Sequence, residues 1–150
     1  MSTPDKLPNG PVYEIGKALY AALVADPAFA EAKLLDNPVR ATDLAEGGRV
    51  VFFEDVSDLP GPANKPMHRV YRYNLGVINR SDEARLGSHQ DYRTGKRALK
   101  AALPRLKDLV QVSNHREGEV AFRLENIDVG GGLVLGTFSL EYRDSDVFNV

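Results

Sequence analysis

Three histidines and a run of glycines are the residues of this sequence that could support catalysis or ligand binding. His68, His89 and His115 stand far apart, and none has the H-x-x-x-H or H-E-x-x-H spacing of a metal site. The glycine run at 130–132 lacks the Lys-Ser/Thr pair of a phosphate-binding loop. The chain has no cysteine, which excludes disulfides, thiolate metal sites and a cysteine nucleophile. We therefore expect no catalytic residue, no cofactor and no metal.

A basic stretch at residues 93–107 is the other feature with chemical potential. Its cations recur at near-helical steps, which places them along one helix surface. They are Arg93, Lys96, Arg97, Lys100, Arg105 and Lys107. Such a surface can be solvated, can face phosphates, or can meet an acidic patch on a neighbouring subunit. The net charge of −2 argues against a dedicated nucleic-acid-binding protein.

The stretch at 118–144 predicts an antiparallel hairpin around which the other elements are arranged. Period-two alternation of apolar and polar residues is typical of strands with one buried face. The inward residues of its first half are Val120, Phe122 and Leu124, and those of its second half are Val134, Phe138, Leu140 and Tyr142. The glycines between the halves supply positive φ angles for the connection.

Two more strands are predicted earlier in the chain. Residues 49–54 form a short β-rich run that fits a buried strand. Residues 69–78 alternate, and we expect them to form a central strand that is antiparallel to its neighbours. Its inward residues are Tyr71, Tyr73, Leu75 and Val77.

Two helices are expected to cover the apolar side of this sheet. Pro11 suits a first helical turn, and apolar residues at three- and four-residue steps predict a helix to about residue 24. Asp26-Pro27 ends it or starts one further turn. The second helix is predicted at 89–102, after a capping box of Ser88 and Asp91, with a kink or fresh turn at Pro104.

Three stretches rich in proline, glycine and polar residues are predicted to be loops, at 36–48, 55–66 and 79–87. The last two are long enough to act as contact arms toward other proteins. Together with the basic helix they supply the candidate assembly-interface residues. These are Asp55, Asp58, Lys65, Arg80, Asp82, Glu83, Arg85, Arg93 and Arg97.

The predicted fold is therefore a single α+β domain at residues 11–144. It has one mainly antiparallel sheet, two principal helices packed on one face, and a closing C-terminal hairpin. Residues 1–10 and 145–150 are expected to be tails. No run of about 18 apolar residues is present, so we expect no membrane span.

The order of elements across residues 11–143 also carries a resemblance. A helix (YEIGKALYAALVADPAFA), a proline-rich loop, a strand (HRVYRYNLGVI), a helix (YRTGKRALKAALPRL) and a final strand (TFSLEY) follow one another. This order resembles the tail-terminator, or tail-completion, proteins of long-tailed bacteriophages. No short diagnostic motif accompanies it.

The resemblance implies a structural virion protein and not an enzyme. Such proteins form a ring, commonly a hexamer, that caps the tail tube, ends its polymerisation and offers its other face to the head connector or neck protein. The expected partners are thus further copies of the chain, the tail-tube protein and the connector. Genome DNA passes through the lumen without specific binding, so no strongly basic lining is expected. The expected location is the head-proximal end of the tail, and the host cytoplasm during assembly.

Two other classes remain open from the sequence. The chain could be another neck or tail component, such as a head-closure protein or a tail-tube subunit. It could also be a small ligand-binding or nucleic-acid-binding domain, the latter using the basic helix.

Overall fold

A computed structural model describes residues 6–38, 47–122 and 131–145. Its elements in chain order are α1 (Pro11–Ala25), a 3₁₀ turn (Pro27–Phe29), β1 (Lys33–Asp36), β2 (Arg49–Pro60), β3 (His68–Asn79), α2 (Ala84–Leu106), β4 (Val112–Ala121) and β5 (Gly132–Arg143). The predictions for Leu124, for Gly130 and for most of both tails fall outside the described residues.

The five strands form one sheet in the order β1-β2-β3-β5-β4. Only β1 and β2 are parallel, and the other three strand pairs are antiparallel. The central strand β3 pairs with β5 from His68↔Arg143 to Asn79↔Gly132, which is the full length of both strands. The α+β class, the mainly antiparallel sheet, the central strand and the closing β4–β5 hairpin are therefore confirmed.

Both helices pack on the same face of the sheet. Helix α1 contacts β1 and β2, whereas α2 contacts β3 and β5, and the two helices contact each other. The core between helices and sheet contains every inward residue predicted for β3 and for the second half of the hairpin. Burial of these large apolar side chains is the main stabilising term of the fold.

The opposite face of the sheet carries a smaller apolar cluster. Val50, Phe52, Ile78 and Leu133 are buried there. The Phe52 ring lies against Gly76, where an added Cβ atom would stand only 2.0 Å from the ring. A glycine is therefore required in the middle of β3, because a side chain would displace this ring.

Strand β2 is longer than predicted, because residues 55–60 continue it and do not form a loop. Beyond Phe53, which pairs with the last residue of β1, the outer side of β2 has no strand partner among the described residues. Proline is tolerated on such an edge, since its missing N–H breaks no ladder hydrogen bond. Pro60 accordingly pairs with Arg69 at the end of the strand.

Helix α2 begins five residues earlier than predicted. Its N-cap is Glu83, without a side-chain capping bond, and Ser88 lies inside the helix with its hydroxyl donating to the Arg85 carbonyl over 3.0 Å. The predicted capping box is therefore wrong. The helix also continues through Pro104 to Leu106 as one element. Pro104 is exposed, so water can bond the carbonyl that its missing N–H leaves unpaired.

The closing hairpin begins earlier than the predicted residue 118, because the further strand that the sequence allowed to begin at 110–112 is its first strand, and β1 was not predicted. Strand β4 already begins at Val112, and Phe122, predicted to point inward, is 58% exposed. The last residue of strand β1, Asp36, is also the first residue of the stretch at 36–48 that was predicted to be a loop. Phe122 lies one residue beyond the end of β4, where its ring stacks on that of His89, so the alternation of the strand does not extend to it.

Candidate assembly surface

Most predicted interface residues fall at two opposite ends of β3. Asp58 and Lys65 lie toward its first residue, on β2 and on the β2–β3 turn, whereas Asp55 of β2 pairs with Tyr73 in the middle of β3. The second group lies beyond its last residue, around the start of α2, and contains Arg80, Asp82, Glu83 and Arg85. The 12 residues of β3 separate the two ends by about 36 Å of extended chain. The structure therefore does not bring the predicted residues into one site.

Asp58 is bonded within the subunit. Its carboxylate accepts hydrogen bonds from Arg69 Nε at 3.2 Å and from the Tyr142 hydroxyl at 2.8 Å. Burial raises the pKa of Tyr142, and the bond to Asp58 raises it further. Asp58 is thus a structural partner of β3 and β5, and its carboxylate is only partly available to another protein.

Asp55 connects three elements on the α1 side. The Tyr71 hydroxyl donates to its carboxylate, and its backbone N–H donates to Asn37 Oδ1 over 2.7 Å. Gly16 of α1 approaches this pair so closely that an added Cβ atom would lie 3.0 Å from the Tyr71 oxygen. Burial and the bond to Asp55 together raise the pKa of Tyr71 above its ordinary value. Asp55 nevertheless remains exposed on its other side.

The β2–β3 connection is a short, hydrogen-bonded turn at residues 61–67. The Lys65 N–H donates to the Pro62 carbonyl over 2.9 Å, and the His68 N–H donates to the Lys65 carbonyl over 3.0 Å. A further bond from Gly61 N–H to the His68 carbonyl closes its base at 2.9 Å. Lys65 itself is exposed, as predicted.

At the other end of β3, Arg80 is hydrogen-bonded to the backbone of a neighbouring segment. Its guanidinium donates to the Gly47 carbonyl over 2.6 Å, and its backbone N–H donates to the Gly48 carbonyl over 2.7 Å. Asp82, Glu83 and Arg85 are exposed, and no ion pair joins them to any residue that the structure describes. The two carboxylates lie before the N-terminus of α2, where the helix dipole favours negative charge.

A buried polar network next to this end was not predicted. Arg49 binds Asp91 through two bonds, at 2.8 Å and 3.2 Å, and also donates to the Ala28 carbonyl over 2.9 Å. Asn79 donates to the same carboxylate over 3.3 Å and accepts a bond from the Ser81 N–H. The sequence contained one signal of this network, because Asp91 lies on the same surface of α2 as the buried apolar residues. A carboxylate at such a position needs partners within the protein.

A second cluster joins α2 to β4 on the helix side of the sheet. The Tyr92 hydroxyl donates to Glu117 over 2.6 Å, and Lys96 pairs with the same carboxylate at 3.1 Å. Burial alone would raise the pKa of Glu117, but these bonds and the Lys96 charge lower it. His115 stacks on Phe138 and bonds the Tyr73 hydroxyl, and burial lowers the pKa of His115.

The outward surface of α2 carries the remaining predicted residues. Arg93 and Arg97 are exposed, and they form no ion pair with any described residue. Like charges one helical turn apart repel each other slightly, so this surface is not optimised for the isolated subunit. It is the clearest unpaired charged surface in the described part of the chain.

The described residues contain no group of three or more histidine or carboxylate side chains arranged to hold a metal ion. Within those same residues, no helix is both long enough and apolar enough to span a membrane. No protein-family model matches the sequence, and a search of curated proteins gives no match.

Proposed function

We propose that this chain is a structural protein of a bacteriophage tail that forms a ring on the end of the tail tube. The ring would stop further tube subunits from adding and would present its other face to the head connector. The element order that resembles tail-terminator proteins supports the proposal. The α+β fold, which the alternation and helical patterns predicted, is compatible with it.

The observation that carries the proposal is the separation of charged surfaces on one subunit. A closed ring requires two different, complementary patches on each copy, joined head to tail. Exposed charges lie at the two ends of β3, which the 12 residues of that strand separate, and along α2. One compact charged patch would instead favour a single partner.

The two ends of β3 are suited to the two axial contacts of such a ring. The turn at residues 61–67 projects at one end and exposes Lys65. The segment with Asp82, Glu83 and Arg85 projects at the other end. In this proposal one end binds the tail tube and the other binds the connector.

Negative-stain microscopy with mass determination tests the proposal, over a range of protein and Mg²⁺ concentrations and with preformed tail tubes. Closed rings of uniform size, or binding restricted to tube ends, are expected. Long tubes formed by the chain alone would instead identify a tail-tube subunit. A monomer that also fails to bind tube ends would contradict the proposal.

The basic surface of α2 favours one second candidate, an accessory protein that binds nucleic acid. Its cations could contact phosphates, and such binding weakens steeply as salt rises. Titration of duplex DNA of mixed sequence at two salt concentrations separates the candidates. A structural ring protein is expected to show no tight binding at physiological salt.

A further inference from the structure

The charge of this subunit is divided unevenly between its elements. Helix α2 contains six cations and one carboxylate, and that carboxylate, Asp91, is already paired with Arg49. The helix therefore carries +5, and the remaining chain carries −7 because the total is −2. A nearly neutral protein with such separated charge is suited to bind a second copy of itself, because opposite surfaces attract.

Four cations of α2, Arg93, Lys96, Arg97 and Lys100, lie on its outer side, toward β4, whereas Arg105 lies on the flank toward α1. Lys96 marks this side, because it pairs with Glu117 of β4. Arg93 and Lys100 are three and four residues from Lys96, so they share its helix surface, and Arg97 lies next to it. The flank toward α1 is different, since it consists mostly of small residues. That flank lines a groove with Ala22, Ala25, Ala98, Ala101, Ala102 and Arg105.

The other lateral edge of the sheet is acidic. Asp36 of β1 and Asp55 of β2 are exposed and line the same cleft, and Asp58 follows on the same strand. Lys17 of α1 also lines that cleft, and Arg69 pairs with Asp58, so the carboxylates are only partly compensated. Since β4 and β1 are the two outermost strands, the basic and acidic surfaces lie at opposite sides of the sheet.

Each surface also exposes apolar side chains next to its charges. Val56 and Leu59 on the outer part of β2 are each 44% exposed. Leu86 on α2 is 52% exposed and lies two helical turns before Arg93. Protein interfaces combine apolar contacts in the centre with polar and charged residues around them.

We propose that the basic surface of α2, formed by Arg93, Arg97 and Lys100 with Leu86, docks against the acidic edge of a second copy. That edge is formed by Asp36, Asp55 and Asp58 with Val56 and Leu59. Because the two surfaces differ, the contact is head to tail and leaves one free surface of each kind at the ends of any open oligomer. This inference depends on the proposed ring and assigns its subunit interface.

Charge reversal tests the interface in the full chain. The variant Arg93→Glu/Arg97→Glu places carboxylates opposite the acidic edge, and we expect self-association to weaken about tenfold or more. The variant Asp36→Lys places a cation in the acidic edge and is expected to weaken self-association by a smaller factor, because it reverses one charge. Mass photometry and sedimentation equilibrium measure the oligomer, and circular dichroism verifies the fold.

The matched control is Arg72→Glu/Arg116→Glu, which changes the net charge by the same amount at two exposed strand positions. Its self-association is expected to stay within about threefold of the wild type, because neither residue belongs to the proposed contact. The decisive variant combines both reversals on one chain. It restores an opposite charge across each contact and should recover part of the lost association.

The outcomes separate the interface from the ring itself. If both reversal variants still form rings like those of the wild type, the proposed interface is wrong and the proposed function stays intact. Reversals that weaken assembly without recovery in the combined variant would also overturn it. A wild-type chain that neither self-associates nor binds tube ends would overturn both. Loss of duplex DNA binding in the α2 variant, with assembly unchanged, would assign this surface to nucleic acid.

Discussion

Two carboxylates on the helix side of the sheet have similar partners and very different surroundings. Asp91 binds Arg49 and accepts a bond from Asn79, whereas Asp58 binds Arg69 and accepts one from Tyr142. The side chains of Asp91 and Asp58 are 11% and 35% exposed, whereas their partners Arg49 and Arg69 are similar at 31% and 25%. The carboxylate is thus mostly buried at one end of β3 and partly solvated at the other.

The difference indicates which end of the molecule is fixed and which is available. Removing one partner of a buried ion pair leaves an unpaired charge away from water, which is strongly destabilising. Removing one partner of an exposed pair lets water replace it, and the loss is small. We therefore expect the Asp91 network to stabilise the fold and the Asp58 cluster to tolerate change.

Asp91→Ala is expected to have the largest effect on stability. It leaves the Arg49 guanidinium and the Asn79 amide without their acceptor, and the free energy of unfolding should fall by about 3 kcal/mol. Urea unfolding followed by circular dichroism measures the change. The control Asp82→Ala removes the same charge from an exposed position and should shift stability by less than about 0.5 kcal/mol.

A double substitution sharpens this interpretation. In Arg49→Met/Asp91→Leu, both charges of the pair are replaced by apolar side chains of related size. If the penalty of Asp91→Ala comes from an uncompensated charge, the double variant should be more stable than the single one. Equal or greater destabilisation would instead indicate that the network acts through its geometry.

His115 is expected to give an intermediate effect that depends on pH. Burial lowers its pKa in the folded state below the ordinary value of about 6.5, so the folded protein favours the neutral ring. This contribution to stability is present above the unfolded pKa and is lost as pH falls toward the folded pKa. Thermal unfolding should therefore occur at lower temperature at pH 5.5 than at pH 7.5.

The carboxylate of this region titrates below the window. Glu117 has a lowered pKa and loses its contribution only below its ordinary value of about 4.5. In His115→Gln the difference between pH 5.5 and pH 7.5 should shrink. An unchanged difference in that variant would assign the pH dependence to another group.

Asp58→Ala is expected to have the smallest effect of these substitutions. Its pair with Arg69 is partly solvated, and water can approach the Tyr142 hydroxyl that it leaves, so the loss should be about 1 kcal/mol. Added salt should reduce the difference from the wild type, because salt screens exposed pairs. A loss as large as that of Asp91→Ala would remove the distinction between the two ends.

The sequence predicted the elements of this fold better than their ends. The alternation of apolar and polar residues was sufficient to predict β3 and β5. Each of these strands has one face in the core, and no register shift interrupts their pairing. The same rule was wrong at Phe122, because β4 ends at Ala121 and the residue beyond a strand does not have to follow its alternation. The extension of β2 through residues 55–60 was predicted to be a loop, because proline occurs both in loops and on unpaired strand edges.

The partners of charged side chains were the least predictable part. Arg93 and Arg97 were expected to be exposed, and they are. Asp55 and Asp58 were expected to be exposed arms, yet hydroxyl and guanidinium donors from β3 and β5 hold them. The Arg49–Asp91 pair joins residues 42 positions apart, and a pattern in one sequence does not reveal such pairing.

The position of β5 also determines when during synthesis the sheet can close. As the last strand along the described chain, it inserts between β3 and β4, so any nascent chain that stops before it leaves both strands without their common neighbour. The aromatic side chains of β3 then lack Phe138 and Leu140 as packing partners. Both lateral edges are consequently joined in one sheet only after translation has passed residue 143, so the assembly that we propose would follow the completion of this sheet.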